Sequence, residues 1–237
     1  MKNLFDQICI IPARGGSKRI PRKNIKIFFG KPIIYWSIRA AKEAKIFDEI
    51  IVSTDDQEIA NISREFGASV PFFRPLDISG DFASLQLVMK HAINWLQNNG
   101  VCSKSLCCLL ATAPFVLADD LRDSYSMLVK YPNNKFIVSG CKFPSPIQRA
   151  LLMDPKTGFM KMYDPRNFTK RSQDLEDSFF DAGQFYWAST RTWLEKDNIF
   201  EESQLFRLPD WRVVDIDTNE DWERAELMKK TIESFLK

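Results

Sequence analysis

The sequence predicts an α/β fold of three layers on a mainly parallel sheet, with a small subdomain inserted late in the chain. Three observations carry this. Short, continuous apolar runs alternate with amphipathic helical periods through the first half of the chain. Glycine, proline and aspartate punctuate the junctions. A glycine-containing basic stretch follows directly on the first apolar run, where open parallel sheets bind their ligands.

Gln7–Pro12 (QICIIP) reads as a strand covered on both faces, because uninterrupted apolar runs belong to buried parallel sheets. Ile33–Lys45 reads as a helix, and the preceding Pro32 suits a helix start. Glu49–Thr54 is the next strand. Asp55 or Asp56 can cap the helix QEIANISREF, which Gly67 ends. Ser69–Phe73 is a weaker strand candidate. Leu85–Asn98 is a helix ended by Gly100, Leu106–Leu110 a buried strand, Asp119–Lys130 a helix and Phe136–Gly140 a strand. From Cys141 the helical period is lost, and proline and long polar side chains take over. Residues 142–180 therefore form an excursion, with Asp154–Gly158 (DPKTG) turning a small β-hairpin. Gln184–Ala188 and Arg212–Asp217 bring the chain back to the sheet. A helix from Asp221 to Leu236 closes a single domain spanning 1–237.

The 237 residues, 45% hydrophobic and 27% charged, suit one soluble domain with a sizeable core. A net charge of +2 argues against a general nucleic-acid binder, which carries a wider basic footprint. The longest apolar run, Leu106–Ala118, has 13 residues and a proline, whereas a spanning helix needs about 20. No membrane partner and no secretory leader are expected. The five cysteines form no C-x-x-C pair, so neither a zinc site nor a disulfide framework is expected. Free thiols in a reducing cytoplasm fit better.

Positive charge is concentrated in Ile10–Lys26 (IIPARGGSKRIPRKNIK), which holds Arg14, Lys18, Arg19, Arg22, Lys23 and Lys26 and no acid. A Walker loop would run straight into a helix, but Pro21 biases Ile20 away from one. The G-x-G-x-x-G fingerprint is absent as well. Gly15 and Gly16 let backbone N–H groups approach an anion closely. Arg14 and Lys23 reach inward from either end, while Arg19, Arg22 and Lys26 are expected to face water. A nucleoside triphosphate with Mg2+ suits such a cradle. Asp215 and Asp217 (DID) share one side of an extended segment, and paired carboxylates call for a cation such as Mg2+. Asp217 with Glu220, or Thr218 with Asp221, also has capping-box spacing. His91 is the only histidine, which excludes histidine-dependent nucleophilic triads.

IPARGGSKRIPRKNI (Ile11–Ile25) resembles the first signature of the CMP-sialic acid synthetase family. IIVSTDD (Ile50–Asp56), FRP (Phe73–Pro75) and DIDTNEDWERAE (Asp215–Glu226) fit it in order. ATAPF (Ala111–Phe115), PIQRAL (Pro146–Leu151), RSQDLED (Arg171–Asp177) and DAGQFYW (Asp181–Trp187) resemble the pseudaminic acid branch. Sialic acid enzymes typically carry a sugar-holding glutamine where this chain has Ala111, so a changed sugar is expected.

The resemblance implies a Rossmann-like nucleotidyltransferase fold and transfer of CMP from CTP to a nine-carbon nonulosonic acid, with pyrophosphate released. It assigns nucleotide contacts to Ala13, Arg14, Gly15, Gly16, Lys23, Asn24, Arg74 and Ser84. Arg14, Lys23, Asp215 and Asp217 carry catalysis, and the two aspartates hold Mg2+. Gln148, Arg149, Arg171, Ser172, Gln173, Asp181 and Gln184 are the expected sugar contacts. The excursion becomes a dimerisation subdomain of a homodimer. Competing readings are the same reaction on N-acetylneuraminic or legionaminic acid, and a non-catalytic nucleotide-binding module. A sugar-transferring enzyme of related architecture fits less well, because its D-x-D follows a middle strand.

Overall fold

The computed structural model describes residues 3–131 and 135–235. The strands are β1 (Asn3–Pro12), β2 (Ile27–Phe28), β3 (Lys31–Pro32), β4 (Glu49–Ser53), β5 (Val101–Leu109), β6 (Ile137–Lys142), β7 (Leu151–Met153), β8 (Met160–Met162), β9 (Phe179–Ser189) and β10 (Gln204–Arg207). The helices are α1 (Ile33–Ala44), α2 (Gln57–Glu65), α3 (Leu85–Asn98), α4 (Ala118–Lys130), α5 (Thr190–Glu195) and α6 (Asn219–Phe235). Leu236, expected to end the last helix, lies outside the described residues.

The central sheet has the order β10-β6-β9-β5-β1-β4. Its pairs are parallel except at β9, which runs antiparallel to both β5 and β6. The sheet is therefore mainly parallel, as expected, with one reversed strand at its centre.

The apolar runs are buried on both faces. In β1, Cys9 and Ile11 pack on the side of α1, α2 and α4. Ile8 and Ile10 pack on the side of α3 and α5. Alternate residues of one strand thus feed opposite cores, which is why the sequence shows no polar alternation there. Burial raises the thiol pKa values of Cys107 and Cys108, and Cys107 also neighbours Cys9. All five cysteines are free.

Ser69–Phe73 forms no strand; it touches the sheet edge only through single bridges, Ile51 to Ser69 and Thr54 to Phe73. The expected hairpin in the excursion is present. β7 and β8 pair antiparallel, and Asp154 accepts from the Lys156 and Thr157 N–H groups in the turn. Gly158 takes φ +73° there, a left-handed conformation that favours glycine.

Arg212–Asp217 is not a strand, contrary to expectation. Asp210–Arg212 forms a 3-10 turn and residues 213–217 are irregular. The sheet's edge is β10 instead. Val214 and Ile216 are buried against Phe28, Phe115 and Trp222 rather than beside a strand. Alternating burial survives without strand pairing: Asp215 is exposed, Ile216 buried and Asp217 intermediate. Both carboxylates consequently lie on the side away from that core.

Candidate active site

A cleft of about 570 Å³ opens beyond the carboxyl ends of β1 and β5. Its lining gathers Arg14, Lys18, Arg19, Lys23, Asn24, Arg74, Asp81, Ala111 and Asp217. The basic loop leaves β1 at Pro12 and crosses this opening. Residue 111 follows β5, and Arg74 comes from the segment beyond α2.

The loop is fastened largely by side chains. The Asn24 amide donates to the Arg14 carbonyl over 2.9 Å. Lys23 Nζ donates to the Ile216 carbonyl at 2.6 Å and to Asp217 Oδ1 at 3.1 Å. Arg19 reaches Asp217 Oδ2 at 2.8 Å while its side chain stays 65% exposed, so it faces water, as expected, and also pairs on the cleft lining. Arg22 does not simply face water either. Its guanidinium grips Asp56 with both nitrogens and also reaches Glu58. Lys26 lies over the Trp222 ring, 4.3 Å from its centroid. The sequence missed these assignments because each partner lies on a distant segment.

The backbone cradle expected at Ala13–Gly16 is partly occupied by the protein itself. The Ala13 N–H donates to the Ser53 carbonyl and the Gly15 N–H to Asp55 Oδ1, each at 2.9 Å. Asp55 and Asp56 divide their labour. Asp56 caps α2 through the Ile59 N–H, while Asp55 supports the glycine loop. Around Gly16 a Cβ would meet nothing within 4 Å, so that stretch is open.

Arg74 is only 5% exposed. Its Nε donates to Ser79 Oγ at 3.2 Å, and its nearest carboxylate, Asp55, stands 3.9 Å away. Burial lowers the guanidinium pKa, Asp55 opposes that, and Arg14 adds to it. A desolvated cation held this loosely beside a cleft suits an anionic ligand. Ser84 caps α3 through the Leu87 N–H at 3.3 Å and is absent from the cleft lining. His91 packs edge-on to Phe72 from α3, with ring centroids 5.1 Å apart, and burial lowers its pKa.

Asp215 has no hydrogen-bond or ion-pair partner among the described residues. Desolvation raises its pKa, Asp217 raises it further, and Lys23 partly compensates. The spacing ambiguity at Asp217 is resolved: Asp221 accepts from the Asp217 and Thr218 N–H groups, and Thr218 Oγ1 accepts from the Asp221 N–H. The cap of α6 is therefore Thr218 with Asp221, which leaves the Asp217 carboxylate to the cleft. No group of three or more acidic, histidine or cysteine side chains able to hold a metal occurs among the described residues. Asp215, unpaired but outside the cleft lining, and Asp217, on the lining and held by Lys23 and Arg19, nonetheless make a carboxylate pair of the kind that suits Mg2+, which usually takes one or two carboxylates and completes its shell with phosphate oxygens and water.

The expected sugar contacts do not converge on the cleft. None of Gln148, Arg149, Arg171, Ser172, Gln173, Asp181 and Gln184 lines it. Ser172 and Gln173 border a separate depression in the excursion. Arg149 donates to Ser172 Oγ at 3.3 Å, and Gln148 to the Glu176 carbonyl at 3.0 Å. Arg171 is exposed. On β9, Asp181 accepts from the Tyr186 hydroxyl at 2.6 Å. Gln184 is buried; its amide N–H donates to the Arg212 carbonyl, and its side-chain oxygen has no partner.

A buried ion pair that the sequence did not reveal supports this side of the site. Arg212 spans both oxygens of Asp120 at 2.6 and 2.9 Å and also donates to the Phe115 carbonyl. It ties the start of the 213–217 segment to the turn after β5.

A family model described as Cytidylyltransferase matches residues 8–218. The chain is 44% identical to a pseudaminic acid cytidylyltransferase of Campylobacter jejuni, covering 97% of each. It is 29% identical to a CMP-N,N'-diacetyllegionaminic acid synthase of Legionella pneumophila, over 92% of this chain and 94% of that one. Among solved structures, a CMP:2-keto-3-deoxy-manno-octonic acid synthetase complexed with CTP superposes with a TM-score of 0.69 at 15% identity, covering 95% of this chain and 99% of that one. That likeness shows a shared fold. The match over residues 8–218 and the end-to-end identity with the Campylobacter jejuni enzyme agree with the cation-lined cleft: the chain belongs to the cytidylyltransferase family.

Proposed function

We propose that this enzyme transfers CMP from CTP to pseudaminic acid and that Asp215 and Asp217 hold the Mg2+ it uses. The observation that carries the sugar assignment is the 44% identity, over 97% of both chains, to a pseudaminic acid cytidylyltransferase. Ala111 on the cleft wall agrees with a site that lacks the glutamine of sialic acid enzymes.

The anomeric hydroxyl attacks the α-phosphorus of CTP. A sugar O–P bond forms, the bond between the α-phosphorus and the bridging oxygen breaks, pyrophosphate leaves with that electron pair, and the hydroxyl proton is released to solvent. Such transfer depends on positioning and charge neutralisation. Arg14, Lys18, Arg19 and Lys23 supply positive charge along the cleft, and Arg74 adds a desolvated guanidinium. Bound Mg2+ would neutralise phosphate charge and polarise the reacting phosphoryl group.

We also propose a homodimer. The hairpin exposes Leu151, Met153, Phe159, Met160 and Tyr163, and clustered apolar exposure of this kind marks interaction surfaces. The excursion's expected sugar contacts do not line their own chain's cleft. A second subunit bringing its excursion to the site reconciles these facts. Free thiols agree with a reducing cytoplasm.

The test is an omission experiment. Pyrophosphate release should require CTP, a nonulosonic acid and Mg2+ together. Equal release without the sugar would contradict the transfer.

A further inference from the structure

Asp81 faces the cleft with one carboxylate and holds two of its cations. Its Oδ1 lies 2.6 Å from Arg14 Nη1 and its Oδ2 lies 2.7 Å from Lys18 Nζ. Arg14, Lys18 and Asp81 all line the same opening. The carboxylate sits in a short turn, Gly80–Ala83, between the Arg74 segment and α3. Its neighbour Phe82 is fully exposed, so no apolar packing anchors this turn through that side chain. Both cations project from a loop that has no carboxylate of its own. Their partner is supplied across the opening.

We propose that Asp81 is a positioning residue that acts as an exchangeable counter-anion: it aims Arg14 and Lys18 into the empty cleft and reclaims them when pyrophosphate leaves. This rests on the polyphosphate-transfer reading above. A carboxylate and a phosphate compete for the same donors, because both accept charge-assisted hydrogen bonds from arginine and lysine. The contacts are partly exposed, with the carboxylate 34% and Lys18 82% accessible. Exposed pairs of this kind are weak, so a polyphosphate of several negative charges displaces Asp81 readily. The competition falls on ligands that use these two cations, and a nucleoside monophosphate lacking the outer phosphates is spared it.

Titration calorimetry at low ionic strength tests this on the full-length protein, comparing wild type, Asp81→Asn and Asp81→Glu. The ligands are inorganic pyrophosphate and CMP. Asp81→Asn should bind pyrophosphate about three- to tenfold more tightly, the range expected from losing one or two exposed ion pairs. CMP affinity should not change, and Asp81→Glu should restore the wild-type value. The difference should shrink at about 1 M salt, where the screening length is about 3 Å. In turnover, Asp81→Asn should lower the CTP KM and strengthen inhibition by pyrophosphate. Unchanged or weaker pyrophosphate binding in Asp81→Asn would overturn the proposal, as would equal tightening of CMP and pyrophosphate. No sugar enters the binding comparison, so a failure of the sugar-transfer reading appears separately, in the omission experiment.

Discussion

Arg212 and Asp120 form a buried, two-pronged ion pair whose oxygens and nitrogens meet at 2.6 and 2.9 Å. Asp120 also accepts from the Leu117 N–H at the start of α4. One carboxylate thus caps a helix and anchors the segment that carries Asp215 and Asp217. Asp120→Ala leaves the guanidinium buried without a counter-charge, and breaking such a pair costs about 3–5 kcal/mol. Denaturant unfolding should show that loss. Replacing both partners with apolar residues of similar volume should recover much of it, without recovering activity if the segment shifts. A loss below about 1 kcal/mol in Asp120→Ala would show the pair to be dispensable.

Gly15 and Gly16 should respond differently to alanine. A Cβ on Gly15 would stand 2.7 Å from Asp56 Oδ2 and 3.0 Å from Asp56 Cβ. Asp56 is pinned by Arg22 and by its cap on α2, so it yields poorly. Gly15→Ala should destabilise by about 1–3 kcal/mol, the usual range for overpacking. Gly16→Ala meets open space and should leave the melting temperature nearly unchanged. Its CTP KM should rise if a phosphate approaches the backbone there.

The Arg22–Asp56 contact makes a prediction about pH. The hydrogen bond from Arg22 holds the Asp56 carboxyl below its ordinary pKa of 3.8, outweighing the opposing effect of burial. A depressed folded-state pKa stabilises at pH above the unfolded value, and that contribution is lost as pH falls through the folded value. Asn serves about as well as Asp at a helix cap, so Asp56→Asn removes the charge and keeps the cap. The wild-type advantage should be about 0.2–1 kcal/mol at neutral pH, given the partial exposure, and should vanish in strong acid. A gap independent of pH would point to lost packing instead.

Asp215 should separate stability from activity. Its raised pKa means that folding favours the protonated form. That stabilisation is complete below the unfolded pKa and is lost as pH rises through the folded value, so the ionised carboxylate is disfavoured at neutral pH. Asp215→Asn should unfold at an equal or slightly higher temperature than wild type, measured without Mg2+. Its turnover should collapse at ordinary Mg2+ concentrations. Full activity would remove Asp215 as a ligand.

Much of the scaffold was readable from the sequence because its signals are local. Uninterrupted apolar runs marked β1 and β5, and DPKTG marked the excursion's hairpin turn. Arg212–Asp217 misled because alternating burial looks the same whether an extended segment pairs with a strand or packs against helices and aromatic rings. The basic loop identified the cleft, but the division of its charges was hidden. Arg19 meets Asp217, and Arg14 meets Asp81, only after folding. The Arg212–Asp120 pair left no local trace either, since neither residue stands in a distinctive motif.

Steady-state pyrophosphate release with CTP saturating, compared across pseudaminic, legionaminic and N-acetylneuraminic acids, tests the central claim most directly. We expect kcat/KM for pseudaminic acid to exceed the other two by at least about tenfold, equivalent to about 1.4 kcal/mol of differential transition-state binding. A preference for either other sugar, or no release with any of the three, would contradict it.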